Sequence, residues 1–272
     1  MNTVSIKKKP YTSGNELLSL IKGSNHSIQT TGEYTMKADS NKIAYFLDGV
    51  DHEKFPKEAA GIVHSMLEMQ NIFQAGMREI QTKLEILSDE FQTFYQRNPI
   101  HQIHCRLKTP KSIVNKLIRR GYDLNLNTAM EQLNDIAGIR VICPYINDIY
   151  TIANLLKAQD DISLIKEVDY IKNPKPNGYR SLHIIVSVPV YLSTKTENVK
   201  VELQIRTIAM DFWATLEHEL NYKMRQSVPD VVEQLTECAE SISEIDTKMQ
   251  GIYNVVMEKK SQEKQREDIQ LY

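Results

Sequence analysis

The sequence predicts an α+β fold: a mixed β-sheet of about five strands with packed helices, and a long helix at each end. Three observations carry that prediction. Apolar residues recur at steps of three and four over residues 57–96, the same pattern returns over 229–260, and strand-like runs alternate with helical ones between them.

In the first long stretch Ile62, Met66, Met69, Phe73, Met77, Ile80, Leu84, Leu87, Phe91 and Phe94 fall on one helical stripe. In the last, Val232, Leu235, Ala239, Ile242, Met249, Ile252 and Val256 lie mostly on one face. Helices this long outreach an ordinary globular core, so each is expected either to fold over its own domain or to bury part of its stripe against another subunit. Residues 1–55 are polar and mixed, without a sustained period, and are expected to form a loosely structured extension.

Between the long helices, Thr109-Pro110 reads as an N-cap followed by proline at the first helical position, with Gly121 as the stop. Ile113, Val114, Leu117 and Ile118 are expected to bury one face of that helix. IAGIRVICPYI (136–146) reads as a strand and NDIYTIANLLKA (147–158) as a helix capped by Asn147. ISLIKEVDYI (162–171), LHIIVSVPVYL (182–192) and VKVELQIRT (199–207) read as strands, the last two joined by the polar link STKTEN. IAMDFWATLEHELNYKM (208–224) reads as a helix.

Composition bounds the class. The chain has 272 residues, 41% of them apolar, enough to bury a real core. No run approaches the roughly 18 apolar residues of a membrane span, and MNTVSIKKKPYTSGN lacks the apolar block of a secretory signal. Cys105, Cys143 and Cys238 lack metal-ligand spacing and fit a reducing, cytoplasmic setting. The formal net charge is −2, so overall electrostatics argue neither for nor against nucleic acid.

The charge is unevenly placed, however. No acidic residue falls between Glu90 and Asp123, while Arg97, Arg106, Lys108, Lys111, Lys116, Arg119 and Arg120 do. Lys116 carries like charges at i+3 and i+4, a local cost that bound polyphosphate would reverse; a solvated helix face is the plainer alternative. His104, Arg106 and Lys108 alternate as on an extended segment. In VKVELQIRT, Val199, Val201, Leu203 and Ile205 point one way and Lys200, Glu202, Gln204 and Arg206 the other, either a solvated face or the polar floor of a cleft. Asp135 precedes the strand that bears Arg140; if the two strands are neighbours, Asp135 and Glu202 approach each other and fit a Mg²⁺ site completed by substrate phosphates. The loop NPKPNGYRSLH (173–183) packs Lys175, Tyr179, Arg180 and His183 into a turn. The zinc-peptidase, P-loop, dinucleotide and nucleophile-elbow patterns are all absent.

HCRLKTPKSIVNKL (104–117), NDIAGIRVI (134–142), YIKNPKPNGYRSLH (170–183) and VELQIRTIAMDFWATLEHELNYK (201–223) together resemble the synthetase domain of the RelA/SpoT family, and within it the small alarmone synthetases of the RelP type. The resemblance covers about residues 57–260. It implies a nucleotidyltransferase-like synthetase fold and transfer of the β,γ-pyrophosphate of ATP to the 3′-hydroxyl of GTP or GDP, with Mg²⁺. It implies that Asp135 holds the metal and that Glu202 orients or deprotonates the hydroxyl and helps with metal. On the ATP side it implies Arg106 and Arg140 about the adenine and Lys108, Ser112, Lys116 and Arg119 on the phosphates. On the acceptor side it implies Tyr179 stacked on guanine, Lys175 and His183 near phosphates, and Gln204, Asp211 and Glu217 lining the site. Together with the helical stripes it gives a domain layout of extension (1–55), synthetase domain (56–225) and helical oligomerisation segment (226–272); the extension is longer than the family usually carries. The resemblance further implies a homotetramer, expected to be cytoplasmic and to need neither membrane nor nucleic acid. No His-Asp dipeptide of the kind long relatives use for hydrolysis occurs, so synthesis without hydrolysis is expected. A nucleotide- or RNA-binding regulator without turnover, and a pyrophosphokinase toxin with another acceptor, are the alternatives.

Overall fold

The computed structural model describes residues 57–95, 97–223 and 229–270; the expected extension over 1–55 lies outside the described residues. Among the described residues eleven elements follow one another: α1 (Lys57–Tyr95), β1 (Gln102–Leu107), α2 (Pro110–Arg120), α3 (Leu126–Gln132), β2 (Ala137–Cys143), α4 (Ile146–Lys157), β3 (Ser163–Asp169), β4 (Leu182–Tyr191), β5 (Thr196–Thr207), α5 (Ile208–Lys223) and α6 (Pro229–Gln270). The described residues fall into two compact units, one of those up to Gln74 with Leu107–Ile136, the other of those in Ala75–Arg106 and from Ala137 on. Among the described residues no helix is long and apolar enough to cross a membrane.

In the first unit, α2 begins and ends as its caps dictate. Thr109 Oγ1 accepts from the Ser112 N–H, Pro110 stands in the first turn, and Gly121 closes the helix at φ +68, a left-handed conformation that glycine adopts without a Cβ penalty. Ile113 and Leu117 are buried, but Ile118 is exposed, so the apolar face is narrower than its sequence spacing suggests. The short helix α3 was not foreseen: Asn125 Oδ1 accepts from the Thr128 N–H at 2.8 Å and starts it.

The five strands form one sheet in the order β1-β2-β5-β4-β3. β2 runs parallel to β5, with Gly138 opposite Glu202 and Arg140 opposite Gln204. β4 is antiparallel to both β5 and β3, which makes the sheet mixed, as predicted. Alternation is strict along β4, where Leu182, Ile184, Val186, Val188 and Val190 are buried, and holds along β5 from Val199 to Ile205, after which Arg206 and Thr207 are buried as well.

The long helices depart from expectation in part. Met69 to Leu87 of the α1 stripe are buried, but Phe94 is exposed. On α6, Ala239 is buried and Leu235 and Ile242 pack beside Trp213, whereas Met249, Ile252 and Val256 are exposed. After Ile242 the inward positions become polar, with Asp246 and Gln250 buried. Their partners explain this. Thr207 Oγ1 donates to Asp246 Oδ2, and Gln250 Oε1 accepts from the backbone N–H of Asn147. The expected cap of α4 by Asn147 is thereby corrected. The helix starts one residue earlier behind Tyr145, which makes no side-chain cap bond, and Gln250 from α6 accepts from an otherwise orphaned N–H in its first turn. Tyr253 stacks on Tyr145 beside this contact, with ring centroids 4.3 Å apart.

Candidate active site

Within the first unit, Lys108 Nζ and Lys116 Nζ both reach Asp135 Oδ2 at 2.6 Å. Thr109 pins the start of α2, and Lys116, two turns along, extends back to the same carboxylate as Lys108, so two members of the basic block converge on one anion. Burial works against ionising Asp135, but the two ammonium groups outweigh it and hold the carboxyl below the usual carboxylate range. Its other oxygen, Oδ1, is buried without a hydrogen-bond partner. Ser112 Oγ lies 2.8 Å from Thr109 Oγ1 at the head of the helix, and Arg119 is exposed in its last turn.

The remaining predicted residues lie in the second unit. Arg106 is exposed on β1. Arg97, part of the same basic block, is instead committed to structure: it pairs with buried Asp148 and lies over the Tyr253 ring. On the polar side of β5, Glu202, Gln204 and Arg206 follow one another as predicted. The face is not solvated, because Arg206 is only 2% exposed. Arg206 Nη2 donates to Gln204 Oε1 at 2.7 Å and to the Tyr179 hydroxyl at 3.0 Å. Gln204 Nε2 points to Glu202 Oε2 at 3.5 Å. Asp211, in the first turn of α5, receives Arg140 Nη1 at 3.2 Å and Arg206 Nη1 at 3.5 Å. An arginine expected on the ATP side and a carboxylate expected on the acceptor side are thus directly paired.

The loop 173–183 connects antiparallel β3 and β4. Its base is closed by the Tyr170 N–H on the Ser181 carbonyl, and its tip by the Gly178 N–H on the Lys175 carbonyl. Asn177 Oδ1 accepts from the Tyr179 N–H, while Asn177 Nδ2 donates to Glu217 Oε1 at 3.0 Å and ties the loop to α5. Arg180 Nη1 donates to the carbonyls of Gly178 and of Ala239 on α6. The result presents Tyr179 half-buried, its ring 5.8 Å from that of His183 and its hydroxyl 2.8 Å from His183 Nε2. Lys175 Nζ lies over the Tyr179 ring at 4.5 Å, so a base stacking on that face would take the place of the ammonium.

Burial raises the Tyr179 hydroxyl above the ordinary phenol range although Arg206 opposes the shift, so it stays protonated at neutral pH. The hydroxyl accepts from Arg206 and lies within hydrogen-bond distance of His183 Nε2, while Nδ1 of the same imidazole stands 3.7 Å from Glu202 Oε1. Tyr179, His183, Glu202, Gln204, Arg206, Asp211 and Arg140 are therefore one connected set. Asp135 stands outside it, in the first unit. The predicted neighbouring of β2 and β5 is observed, with Gly138 opposite Glu202.

The family resemblance singles out neither Asn177 nor Arg206, although Arg206 belongs to the polar floor that the alternation of its strand suggests.

The fold is that of solved small alarmone synthetases. It is similar to small alarmone synthetase 2 from Bacillus subtilis at TM-score 0.62 and 44% identity, over 68% of this chain and 97% of that one. It is similar to small alarmone synthetase 1 from the same organism, bound to its product pppGpp, at TM-score 0.65 and 31% identity, over 71% of this chain and 99% of that one. Residues 105–227 match the region found in RelA / SpoT proteins. Over 182 residues the chain is 46% identical to GTP pyrophosphokinase YwaC of Bacillus subtilis, 66% of this chain and 87% of that protein. The chain belongs to the RelA/SpoT family.

Proposed function

We propose that the chain is a GTP pyrophosphokinase that transfers the β,γ-pyrophosphate of ATP to the 3′-hydroxyl of GTP or GDP. The observation that carries the reading is the connected set on β5 and the 173–183 loop, in which Glu202 stands beside His183 and Gln204 while Tyr179 and Lys175 form an aromatic-cationic platform. In the reaction the acceptor oxygen forms a bond to the β-phosphorus, the bond from that phosphorus to the α,β-bridging oxygen breaks, AMP departs, and Glu202 takes the hydroxyl proton. Lys108, Ser112, Lys116 and Arg119 are assigned to the phosphates of ATP, and Arg106 and Arg140 to its adenine. Stacking on Tyr179 contributes about 1–3 kcal/mol by analogy with single-stranded nucleic acid.

Mg²⁺ is assigned to Asp135 and Glu202. Asp135 fits it: the carboxylate is ionised, and its Oδ1 has no partner of its own. When bound, the ion supplies neutralisation of the phosphate charge. Lys108 and Lys116 then have phosphate oxygens to turn to, as well as Asp135. Activity is proposed to be synthesis alone. The exposed apolar residues Ile245, Met249, Ile252 and Val256 of α6 are proposed to be covered by further copies in a homotetramer.

The test is to incubate the protein with ATP and Mg²⁺ and with GTP, GDP, GMP or ATP as acceptor, and to resolve products by mass. AMP together with a guanine nucleotide heavier by one pyrophosphate is expected. Nucleotide binding without AMP, or modification of an adenine nucleotide alone, would overturn the reading.

A further inference from the structure

Arg206 is the buried charge on an otherwise half-buried strand face. We propose that Arg206 is the positioning residue of the acceptor side, a guanidinium that fixes the Tyr179 hydroxyl, the Gln204 amide and the Asp211 carboxylate relative to one another for a guanine nucleotide. The inference rests on the reading of Tyr179, Gln204 and Asp211 as acceptor-side groups.

A purely structural role accounts poorly for this residue. Its one carboxylate partner lies at 3.5 Å, its Nε is buried without a partner, and burial pulls its pKa below the usual arginine range. Replacing buried charges with well-packed apolar side chains is often neutral or stabilising, so packing alone does not call for a guanidinium here. What the planar fork supplies is geometry. One nitrogen, Nη2, serves both Tyr179 Oη and Gln204 Oε1, while Nη1 faces Asp211 and Cζ lies 5.4 Å from the Tyr179 ring centroid.

Two consequences bear on recognition. With Oε1 engaged by Arg206, the Gln204 amide has one orientation, its Nε2 directed to Glu202, rather than two interchangeable ones. With its hydroxyl held between Arg206 and His183, the far end of the Tyr179 ring is fixed in position before any base arrives. Stacking alone does not choose among bases; oriented hydrogen-bonding groups do. Arg206 touches no substrate in this scheme and acts through the three side chains it holds.

The test compares Arg206→Lys, Tyr179→Phe and the double variant with wild type, measuring KM for GDP and for ATP, kcat, and the thermal unfolding midpoint. Lysine keeps the charge but cannot hold three partners in one plane, so R206K is expected to raise KM for GDP on the order of tenfold and to leave KM for ATP within about twofold. Y179F is expected to raise KM for GDP by a smaller factor, and the double variant to be no worse than R206K, because both changes break one contact. Equal losses for the two nucleotides, or losses that multiply in the double variant, would overturn the proposal. If R206K fails to fold, Y179F decides alone: an unchanged KM for GDP overturns it. A wild type that makes no guanine product overturns the functional reading and with it this role; a wild type that turns over while R206K loses both substrates equally overturns only the role of Arg206.

Discussion

A Cβ on Gly178 would stand 2.5 Å from the Cβ of Ala239, so the tip of the loop and α6 approach each other more closely than any side chain at Gly178 allows. Gly178 also sits at φ +84, in the left-handed region. Gly178→Ala therefore meets two separate penalties. The backbone term is worth about 1 kcal/mol and the overpacking about 1–3 kcal/mol. The expected outcome is a raised KM for the guanine nucleotide with little change for ATP. Adding Ala239→Gly should recover the packing part and not the backbone part, as read from steady-state kinetics and thermal unfolding.

Glu202→Gln keeps the size and the hydrogen-bonding reach of the side chain while removing its capacity to accept a proton. Turnover is expected to fall by roughly 10²–10⁴, the usual contribution of a positioned base. Calorimetry should find ATP affinity within about threefold of wild type. Rates near wild type would take Glu202 out of the reaction.

Asp135 and Asp246 titrate in opposite senses. Lys108 and Lys116 hold the folded Asp135 carboxyl below its ordinary value despite burial. Its contribution to stability is thus full above the unfolded pKa and disappears as pH falls through the lower folded value. Asp135→Asn leaves two ammonium groups facing each other without an anion, at an expected cost of about 1–3 kcal/mol near neutral pH. Unfolding curves of the nucleotide-free protein at several pH values should show the gap from wild type closing only in strong acid. The variant should also lose Mg²⁺-dependent turnover.

Burial raises the Asp246 carboxyl although Thr207 donates to it, so the folded state holds that proton more tightly than the unfolded chain. Stability from this group is lost as pH rises from the ordinary carboxylate pKa through the raised folded one. Asp246→Asn keeps an oxygen for the Thr207 hydroxyl and removes the buried charge. Its unfolding midpoint at pH 7 is expected to exceed that of wild type by a few degrees, and the difference to shrink on acidification. A lower midpoint at pH 7 would show that the ionised carboxylate is favourable where it stands.

Elements whose signals are local were readable from sequence. Thr109, Pro110 and Gly121 bracket α2 because capping is decided within a few residues, and β5 alternates because a strand has period two. Contacts made across the chain were not readable. Asn147 looked like a cap because its type favours that place, yet the acceptor comes from Gln250, 103 residues away. Phe94 and Ile118 continue apolar stripes that outrun the surface available to cover them. The seven-residue α3 is too short to show a period, and only Asn125 announces it. In the site, motif order placed Tyr179, His183 and Glu202, but the burial of Arg206 depends on a loop and a helix meeting over its strand.

The pairing of Thr207 with Asp246 and of Asn147 with Gln250 carries a consequence for how the chain acquires its active form. Every strand is complete before α6 begins, yet α6 supplies the carbonyl for Arg180, the carboxylate for Thr207 and the amide for the first turn of α4. These links span 59, 39 and 103 residues, and each waits on a segment that follows the whole sheet in the chain. During synthesis the sheet leaves the ribosome ahead of the segment that laces it. A chain stopped short of Pro229 would therefore carry all five strands and still lack the fastening of its acceptor loop.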